Sequence, residues 1–469
     1  MGRIIGAYVF PHPPLIIPEI GKGSESGAAK TVEAAKKAAL DIAADKPSTI
    51  VLTTPHGPVF QDFIYISDSP SLVGNLSQFG AADVKFHFEN NLDLMQSIIE
   101  KARGRGISCG GLNGAVLGRY GLPKELDHGA MVPLYYVQKE YPDFKLVHIS
   151  ISGLPFRQLY RFGMCIAEAV SDSEDEVVFI ASGDLSHKLS KDAPYGYNKR
   201  GREFDDLIID TFKSLDVDRL IDIDDELCDS AGECGLRSFI MMFGALDGFS
   251  LSPDVYSYEG PFGVGYSIAR FGVNKPDESR KLYDKMTEKN VTLINNIRSN
   301  EDPYVKLARQ TLETFVKEKR VMEVPLGLLP EMLEKKAGTF VSIKKEGHLR
   351  GCIGTTAPTK KNIAAEIVSN AINSGSRDPR FYPVEENELE SLVYSVDVLG
   401  EQEPIESIGQ LDVKRYGVIV ETETRSGLLL PDLEGVDTVE KQVSIALQKA
   451  GIKQSDKYSM KRFEVIRHK

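Results

Sequence analysis

The stretch Ser182-Gly183-Asp184-Leu185-Ser186-His187 follows directly on the apolar run 176–181, and this junction decides how the chain is interpreted. A buried strand that ends in a turn of this composition presents an imidazole at its carboxyl-terminal tip. In open α/β sheets, ligands bind in the crevice outside the carboxyl ends of the strands. The junction therefore predicts a layered sheet, and it gives His187 a position suited to chemistry.

Two further strand-like runs also end in histidine. Residues 4–10 lead into Pro11-His12-Pro13-Pro14, and residues 49–54 lead into Pro55-His56-Gly57-Pro58. A single histidine at such a place often only caps a strand or bonds a loop carbonyl. The chain has only eight histidines, however, and three of them at strand tips indicate one shared site.

The bulk properties are those of a globular protein with more than one domain. The chain has 469 residues, 42% hydrophobic and 26% charged, so two or three domains are expected. The net charge of −12 argues against sequence-independent nucleic-acid binding, which needs a basic face, and against a polybasic membrane anchor. No apolar run approaches the ~18 residues of a membrane span, and the five cysteines are scattered without a Cys-x-x-Cys pair. We therefore expect a cytoplasmic protein with neither nucleic acid nor membrane as a partner.

The alternation of predicted elements divides the chain. Residues 1–275 alternate strand-like and helix-like segments, which indicates a layered α/β domain. Residues 276–300 are polar and form the predicted linker. Residues 301–469 mix strands and helices without βαβ regularity, so an α+β domain is expected there. This second domain includes a predicted hairpin over 338–355 with Glu346 at its turn.

Two of the strand-tip histidines are the predicted metal ligands. Neutral imidazoles with one carboxylate and open positions suit a non-haem Fe(II) site that binds oxygen and an organic substrate together. His12 and His56 supply the imidazoles, and Zn is the alternative metal. Glu233 and Glu259 are both candidates for the carboxylate. Glu233 is favoured because it opens a predicted helix after Gly232, beside small residues that leave room for an ion.

His187 has a different predicted task. An imidazole at a strand tip is well placed to donate or accept protons near neutral pH. His128, which follows Asp127, is a second candidate for handling protons or orienting the substrate. The remaining histidines are expected to be packed, surface or solvated residues outside the site: His87, His148, His348 and His468.

The first 270 or so residues resemble the LigB-type class III extradiol dioxygenase family and its Memo-like relatives. The matching pieces are Pro11-His12-Pro13-Pro14, Pro55-His56-Gly57, Asp127-His128-Gly129, the 183–187 turn and the closing run 263–270.

This resemblance implies roles for the candidate residues. It implies that His12, His56 and Glu233 hold Fe(II). It also implies that His187 is the catalytic acid/base and that His128 lies in the substrate pocket. Memo-like relatives have a cysteine near the third-ligand position, and Cys234 lies beside Glu233 here. The choice between these two neighbours therefore stays open.

The second half resembles the AMMECR domain over nearly its whole length. The matching pieces are the runs 349–355, 376–383 and 427–431. A fusion of the two halves resembles the AmmeMemoRadiSam system proteins A and B, which implies a radical SAM enzyme as a partner. The activity of the AMMECR domain is unknown within its family, so the resemblance implies a fold but no chemistry.

Cys352 and Arg350 are the residues of this second half that could take part in a reaction or bind a ligand. Cys352 could act as a nucleophile and Arg350 as an anion clamp. Alternatively, the glycines beside Cys352 permit a tight strand turn in which the cysteine is a small core residue. We favour this second interpretation. Arg377, Asp378 and Arg380 are likewise expected to cap and salt-bridge their own loop.

The sequence thus supports three functions, in descending order. The first is an Fe(II)-dependent extradiol-type dioxygenase that opens the ring of a catechol or 2-aminophenol-like substrate with O2. The second is a Memo-like metal-binding or interaction protein without ring-cleaving activity, in which the AMMECR domain docks a radical SAM partner. The third is a metal-dependent hydrolase that uses the same ligands.

Overall fold

The chain folds into two compact units, Met1–Thr287 and Glu288–Lys469. The computed structural model describes residues 1–112, 114–345, 347–433 and 435–469. Glu346, which the sequence places at a hairpin turn, lies outside the described residues. Among the described residues, no helix combines the length and the apolar character needed to cross a bilayer.

The strands of the first unit are β1 (Arg3–Phe10), β2 (Thr49–Thr54), β3 (Ile64–Tyr65), β4 (Ser71–Leu76), β5 (Ala81–Glu89), β6 (Cys109–Gly110), β7 (Lys145–Ser150), β8 (Glu176–Ser182), β9 (Phe249–Glu259) and β10 (Tyr266–Pro276). Six of them form the main sheet, in the order β7-β2-β8-β1-β10-β9. Strands β7, β2, β8 and β1 run parallel, whereas β10 and β9 are antiparallel additions at one side.

Helices follow most of the parallel strands. They are α1 (Pro18–Gly21), α2 (Ala29–Asp45), α3 (Leu92–Gly104), α4 (Gly114–Arg119), α5 (His128–Glu140), α6 (Phe156–Asp172), α7 (Lys199–Ser214), α8 (Asp218–Ile221), α9 (Asp225–Ala231) and α10 (Leu236–Ala245). A further helix, α11 (Leu282–Ser299), contains the boundary between the two units.

The central strands are buried on both faces, as expected for parallel strands covered by helices on both sides. All six residues of β2 are buried. Ile50 and Leu52 belong to one apolar core and Val51 to the other, because successive side chains of a strand point to opposite faces. Helices α2 and α5 cover the first face, and α3, α6 and α10 cover the second. The layered α/β architecture predicted for this half is confirmed.

The strand order brings the three predicted loops together. Strand β8 lies between β2 and β1 and runs parallel to both. The register pairs Phe10 with Ser182 and Thr53 with Ala181. Because parallel strands in this register end at the same edge of the sheet, the loops after β1, β2 and β8 leave the sheet side by side.

The segment between α9 and α10 is a turn and not the start of a helix. Gly232 ends α9 in the left-handed region, with φ of 61°, the conformation in which glycine commonly terminates helices. The helix predicted to begin at Glu233 therefore begins at Leu236. Glu233 and Cys234 lie in the turn, where successive side chains point in different directions.

The second unit is an antiparallel sheet of seven strands with helices, so the predicted α+β class is confirmed. The strands are β11 (Thr339–Lys345), β12 (His348–Gly354), β13 (Leu392–Leu399), β14 (Glu403–Ile405), β15 (Tyr416–Glu421), β16 (Ser426–Leu429) and β17 (Ser459–His468). Six of them follow the order β12-β11-β13-β17-β15-β16, and β14 pairs with β17. The helices are α12 (Pro303–Glu318), α13 (Pro330–Glu334), α14 (Ile363–Ser376) and α15 (Val439–Ala450).

The charged residues singled out in this unit are used inside its fold. Arg350 donates hydrogen bonds to both carboxylate oxygens of Glu388, at 3.0 and 2.8 Å. It also donates to the backbone carbonyls of Tyr382 and Pro383, in the loop before Glu388. Asp378 accepts the backbone amide of Cys352 at 2.9 Å and pairs with Arg380 at 2.7 Å. These contacts hold the loop against β12, as expected for Asp378 and Arg380.

His468 differs from its expectation as a solvated residue. Its ring stacks on Tyr304 with the centroids 3.8 Å apart. Its Nδ1 also hydrogen-bonds to the carboxylate of Asp302, which caps the amino end of α12. The histidine at the end of the last strand is therefore tied to the first helix that lies wholly within this unit.

Two glycines allow the site loops of the first unit to touch. A Cβ on Gly183 would lie 2.1 Å from the Cα of Gly235. The Gly235 amide donates to the carbonyl of Asp184 at 3.0 Å, which joins the β8 loop to the α9–α10 turn.

We therefore expect Gly183→Ala to force these backbones apart. The free energy of unfolding, measured by urea titration, should fall by roughly 1–3 kcal/mol. Gly104→Ala is the control, because among the described residues no heavy atom lies within 4 Å of its Cβ position apart from its chain neighbours and its own helix backbone. This control should stay within about 0.5 kcal/mol of wild type. Equal stability of the two variants would show that the loops do not depend on this contact.

Candidate metal centre

His12 and His56 face each other at the strand tips. His12 follows β1 and is 2% exposed, whereas His56 follows β2 and is exposed. Their Nε2 atoms are 2.9 Å apart, and their ring planes are nearly perpendicular, at 89°. The pair therefore brings two ring nitrogens together at a place that solvent reaches from the side of His56.

His128 joins this pair as the first residue of α5. The ring nitrogens of His12, His56 and His128 lie within 4.8 Å of one another. The rings of His56 and His128 are stacked, 4.2 Å apart and 26° from parallel. Because an imidazole lone pair lies in the ring plane, two stacked rings present their lone pairs side by side and not toward one ion. His128 is therefore better placed to meet a substrate than to complete the metal ligands.

A second group of donor atoms shares His12. Its members are His12, Asp184 and Cys234. The Cys234 sulfur is 3.6 Å and the Asp184 Oδ2 is 3.8 Å from the Nε2 of His12. The backbone amide of Asp184 donates to the Cys234 sulfur at 3.3 Å, which holds the Cys234 side chain against the β8 loop. The sequence analysis assigns no role to Asp184, although this residue lies three positions before His187.

The structure places Cys234, and not Glu233, beside His12. The carboxylate of Glu233 accepts the backbone amide of Leu236 at 2.7 Å and so caps the start of α10. Glu233 belongs to neither group of clustered donor atoms among the described residues. Glu259, the other candidate, accepts the amide and hydroxyl of Thr31, both at 2.7 Å.

His187 approaches the same carboxylate oxygen of Asp184 as His12 does. Its Nε2 is 3.8 Å from Asp184 Oδ2 and 3.9 Å from the Cys234 sulfur. The exposed ring of Tyr195 lies 5.7 Å away. His187 is therefore within reach of the donor group but is not one of the clustered ligands.

A buried hydrogen-bonded chain supports the first turn of α5. Asp127 caps the helix through the amide of Ala130 and accepts the hydroxyl of Thr54 at 2.6 Å. Its second oxygen is 3.0 Å from the Nε2 of His148, which is 2% exposed. The sequence predicts only an ordinary packed or surface role for His148. Its pairing with Asp127 depends on a contact between β7 and α5, which the sequence alone does not reveal.

Burial sets the protonation of the site. It lowers the pKa of His12 from 6.5 to about 4, although the charge of Asp184 opposes this shift. Burial also lowers the pKa of His56 and of His128. The pKa of the Cys234 thiol is raised well above its ordinary value by burial and by the charge of Asp184. At neutral pH the imidazoles are therefore neutral and keep lone pairs available for a metal.

The carboxylate beside them stays charged. Burial alone would raise the pKa of Asp184, but the nearby imidazoles of His12 and His187 and the hydrogen bond from the His12 amide hold it below its ordinary value. Neutral imidazoles with a charged carboxylate are the donor set that divalent metals take.

The spacing of the two histidines also fits a common ion. Two nitrogens that each lie ~2.1 Å from a metal, at a right angle to one another, are about 3 Å apart. The separation of 2.9 Å between His12 and His56 matches this value. The residues present therefore fit a single divalent metal ion.

Comparison with known families agrees with this architecture. A family model described as the catalytic LigB subunit of aromatic ring-opening dioxygenase matches residues 6–269. A second model, described as AMMECR1, matches residues 305–468.

Relatives extend over one half or over the whole chain. Protein CA_C1420 of Clostridium acetobutylicum is 42% identical over 465 residues, which is 99% of each chain. A protein of Thermotoga maritima is 49% identical over 171 residues, covering 36% of this chain and 98% of its own. A solved structure, the uncharacterized protein PH0010 from Pyrococcus horikoshii, is 32% identical and has a TM-score of 0.33. It covers 35% of this chain and 88% of its own. On the family matches and the full-length relative, the chain belongs to the LigB family of ring-opening dioxygenase subunits and carries an AMMECR1 domain in its second half.

Proposed function

We propose that the first unit is a non-haem Fe(II) dioxygenase that opens the ring of a catechol or 2-aminophenol-like substrate with O2. One observation carries the proposal. The imidazoles of His12 and His56 converge at 2.9 Å beside the carboxylate of Asp184, and the Nε2 of His187 lies 3.8 Å from the same carboxylate oxygen as the Nε2 of His12. Two histidines, one carboxylate and open positions form the donor set of non-haem iron oxygenases. The match to the LigB family supports the same reaction class.

His12, His56 and Cys234 would hold the metal, with the Asp184 carboxylate beside them. A bound ferrous ion would supply the redox chemistry that activates dioxygen. The exposed side of His56 gives a small substrate access to the site. The buried His12 fixes the inner edge of the site, because its backbone amide also donates to Asp184 at 2.9 Å.

His187 and His128 would act on the substrate. His187 is partly exposed, so a substrate can reach its ring, and it would accept the proton of a substrate hydroxyl. The neighbouring Asp184 carboxylate would stabilise the imidazolium that results. His128, stacked on His56 and edge-on to Phe79 at 5.5 Å, offers an aromatic surface against which a planar ring can lie.

The position of Cys234 favours a second candidate function. A thiolate is a soft ligand, and soft ligands select zinc or cuprous copper more than ferrous iron. A metal bound by His12, His56 and Cys234 would suit a Memo-like metal-binding protein without ring cleavage, or a zinc-dependent hydrolase. In the Memo-like case the AMMECR1 domain would dock a radical SAM enzyme, as the resemblance to fused systems suggests.

Metal analysis tests the ligand set. Protein purified without air should hold about one ferrous ion per chain. His12→Ala and His56→Ala should lose it, because each variant removes one of the two converging imidazoles. His87→Ala is the matched control on the protein surface and should keep the iron.

The same assay separates the neighbouring third-ligand candidates. Cys234→Ala should weaken iron binding by more than the roughly 10- to 100-fold loss that follows removal of an outer partner. Glu233→Gln and Cys228→Ala should retain it. Loss of iron in Glu233→Gln with full retention in Cys234→Ala would contradict the placement described above.

Turnover under O2 tests the role of His187. His187→Gln should keep its iron and lose about 10²- to 10⁴-fold in kcat on a panel of catechols and 2-aminophenols, since it removes only the proton-handling group. The measurement is ring-opened product formed per bound iron.

Two results would contradict this account of turnover. Unchanged turnover by His187→Gln would exclude that residue as the acid/base. Wild-type protein that holds tight zinc and opens no ring would reject the dioxygenase, and co-purification of a radical SAM enzyme would then favour the second candidate.

A further inference from the structure

The first turn of α5 contains a carbonyl that lacks its usual helical partner. In an α-helix, the carbonyl of residue 129 would accept the amide of residue 133. Residue 133 is a proline inside α5 and has no amide hydrogen. A buried carbonyl without a donor is costly, so Gly129 needs a hydrogen bond from outside the helix.

Ser182 supplies this hydrogen bond from the tip of β8. Its hydroxyl donates to the carbonyl of Gly129 at 2.6 Å, and its side chain is fully buried. The same hydroxyl oxygen lies 3.0 Å from the Nδ1 of His12. One side chain therefore links the α5 carbonyl to an imidazole of the metal centre.

The direction of the second contact follows from counting protons. A serine hydroxyl has a single hydrogen, and Ser182 commits it to Gly129. If His12 carried no proton on Nδ1, two lone pairs would face each other across 3.0 Å. The arrangement that satisfies both contacts has His12 donating its Nδ1 hydrogen to Ser182, which leaves Nε2 unprotonated in the neutral ring.

That nitrogen is the atom that converges on the other donors. The Nε2 of His12 is 2.9 Å from the Nε2 of His56 and 3.6 Å from the sulfur of Cys234. A metal ligand must present a lone pair, and its tautomer is commonly fixed by a hydrogen bond at the other ring nitrogen.

We propose that Ser182 is a positioning residue that fixes the tautomer of His12 for metal binding, by using the carbonyl that Pro133 leaves free on Gly129. The inference rests on the proposed metal site but not on ring cleavage. Ser182 does not touch the ion or the substrate in this account. It acts through the ring of His12.

Ser150 provides a matched control. It ends strand β7, which is separated from β8 in the sheet by β2, is also fully buried, and its hydroxyl has no hydrogen-bond partner among the described residues. Replacement of either serine by alanine removes the same atom from a buried strand end. Only one of the two replacements removes a partner of His12.

The test is anaerobic Fe(II) affinity, measured by competition with a chromophoric chelator. Ser182→Ala should bind Fe(II) about 10- to 100-fold more weakly than wild type, whereas Ser150→Ala should match wild type. Equal weakening of both variants would assign the effect to general loosening of the strand ends and would overturn the proposal. Wild-type affinity in Ser182→Ala would overturn it too, while leaving the metal site intact.

Nitrogen-15 NMR of histidine-labelled wild-type protein gives a readout that does not depend on a variant folding. The signal of His12 should show the proton on Nδ1 in the metal-free protein and in the zinc-loaded protein. A proton on Nε2 in the metal-free protein would overturn the proposal. Failure of the wild type to bind any Fe(II) or zinc would reject the metal site itself, and with it a positioning role toward a metal.

Discussion

The site depends on the contact between the first turn of α5 and the tips of two parallel strands, β2 and β8. Ser182 at the end of β8 bonds to the carbonyl of Gly129, and Thr54 at the end of β2 bonds to the carboxylate of Asp127. These two hydrogen bonds, at 2.6 Å each, connect the helix start to both strands. Because the strands are parallel and share an edge, the histidine loops begin within one small volume. The helix turn adds His128 to that volume, with its ring stacked on that of His56.

Much of this could be predicted from the order of residues along the chain. Apolar runs that end in histidine predict strands, and interleaved helices predict that those strands are parallel, so His12, His56 and His187 were expected at one edge. The third ligand could not be predicted in the same way. Glu233 and Cys234 are neighbours, and which of them faces His12 is decided by the left-handed turn at Gly232. A glycine in the sequence shows that such a turn is possible. It does not show in which direction the side chains of the next two residues point.

Other residues were missed because their partners are distant in sequence. The role of His148 depends on Asp127, and the two residues meet only when β7 and α5 are both in place. In the second unit, β17 likewise lies between β13 and β15, strands that are distant from it along the chain. Asp184 was overlooked for a different reason. It lies within the most informative stretch of the chain, but its position three residues before the candidate acid/base His187 gives no indication of whether its side chain turns toward the site.

The central claim is that one metal ion is held at the strand tips by His12 and His56, together with Cys234 of the α9–α10 turn. X-ray absorption at the iron edge of protein loaded under anaerobic conditions measures this most directly. The account predicts nitrogen or oxygen neighbours at ~2.1 Å with one sulfur neighbour at ~2.3 Å, and loss of the sulfur neighbour in Cys234→Ala. A wild-type spectrum with only nitrogen and oxygen neighbours, unchanged in Cys234→Ala, would contradict it.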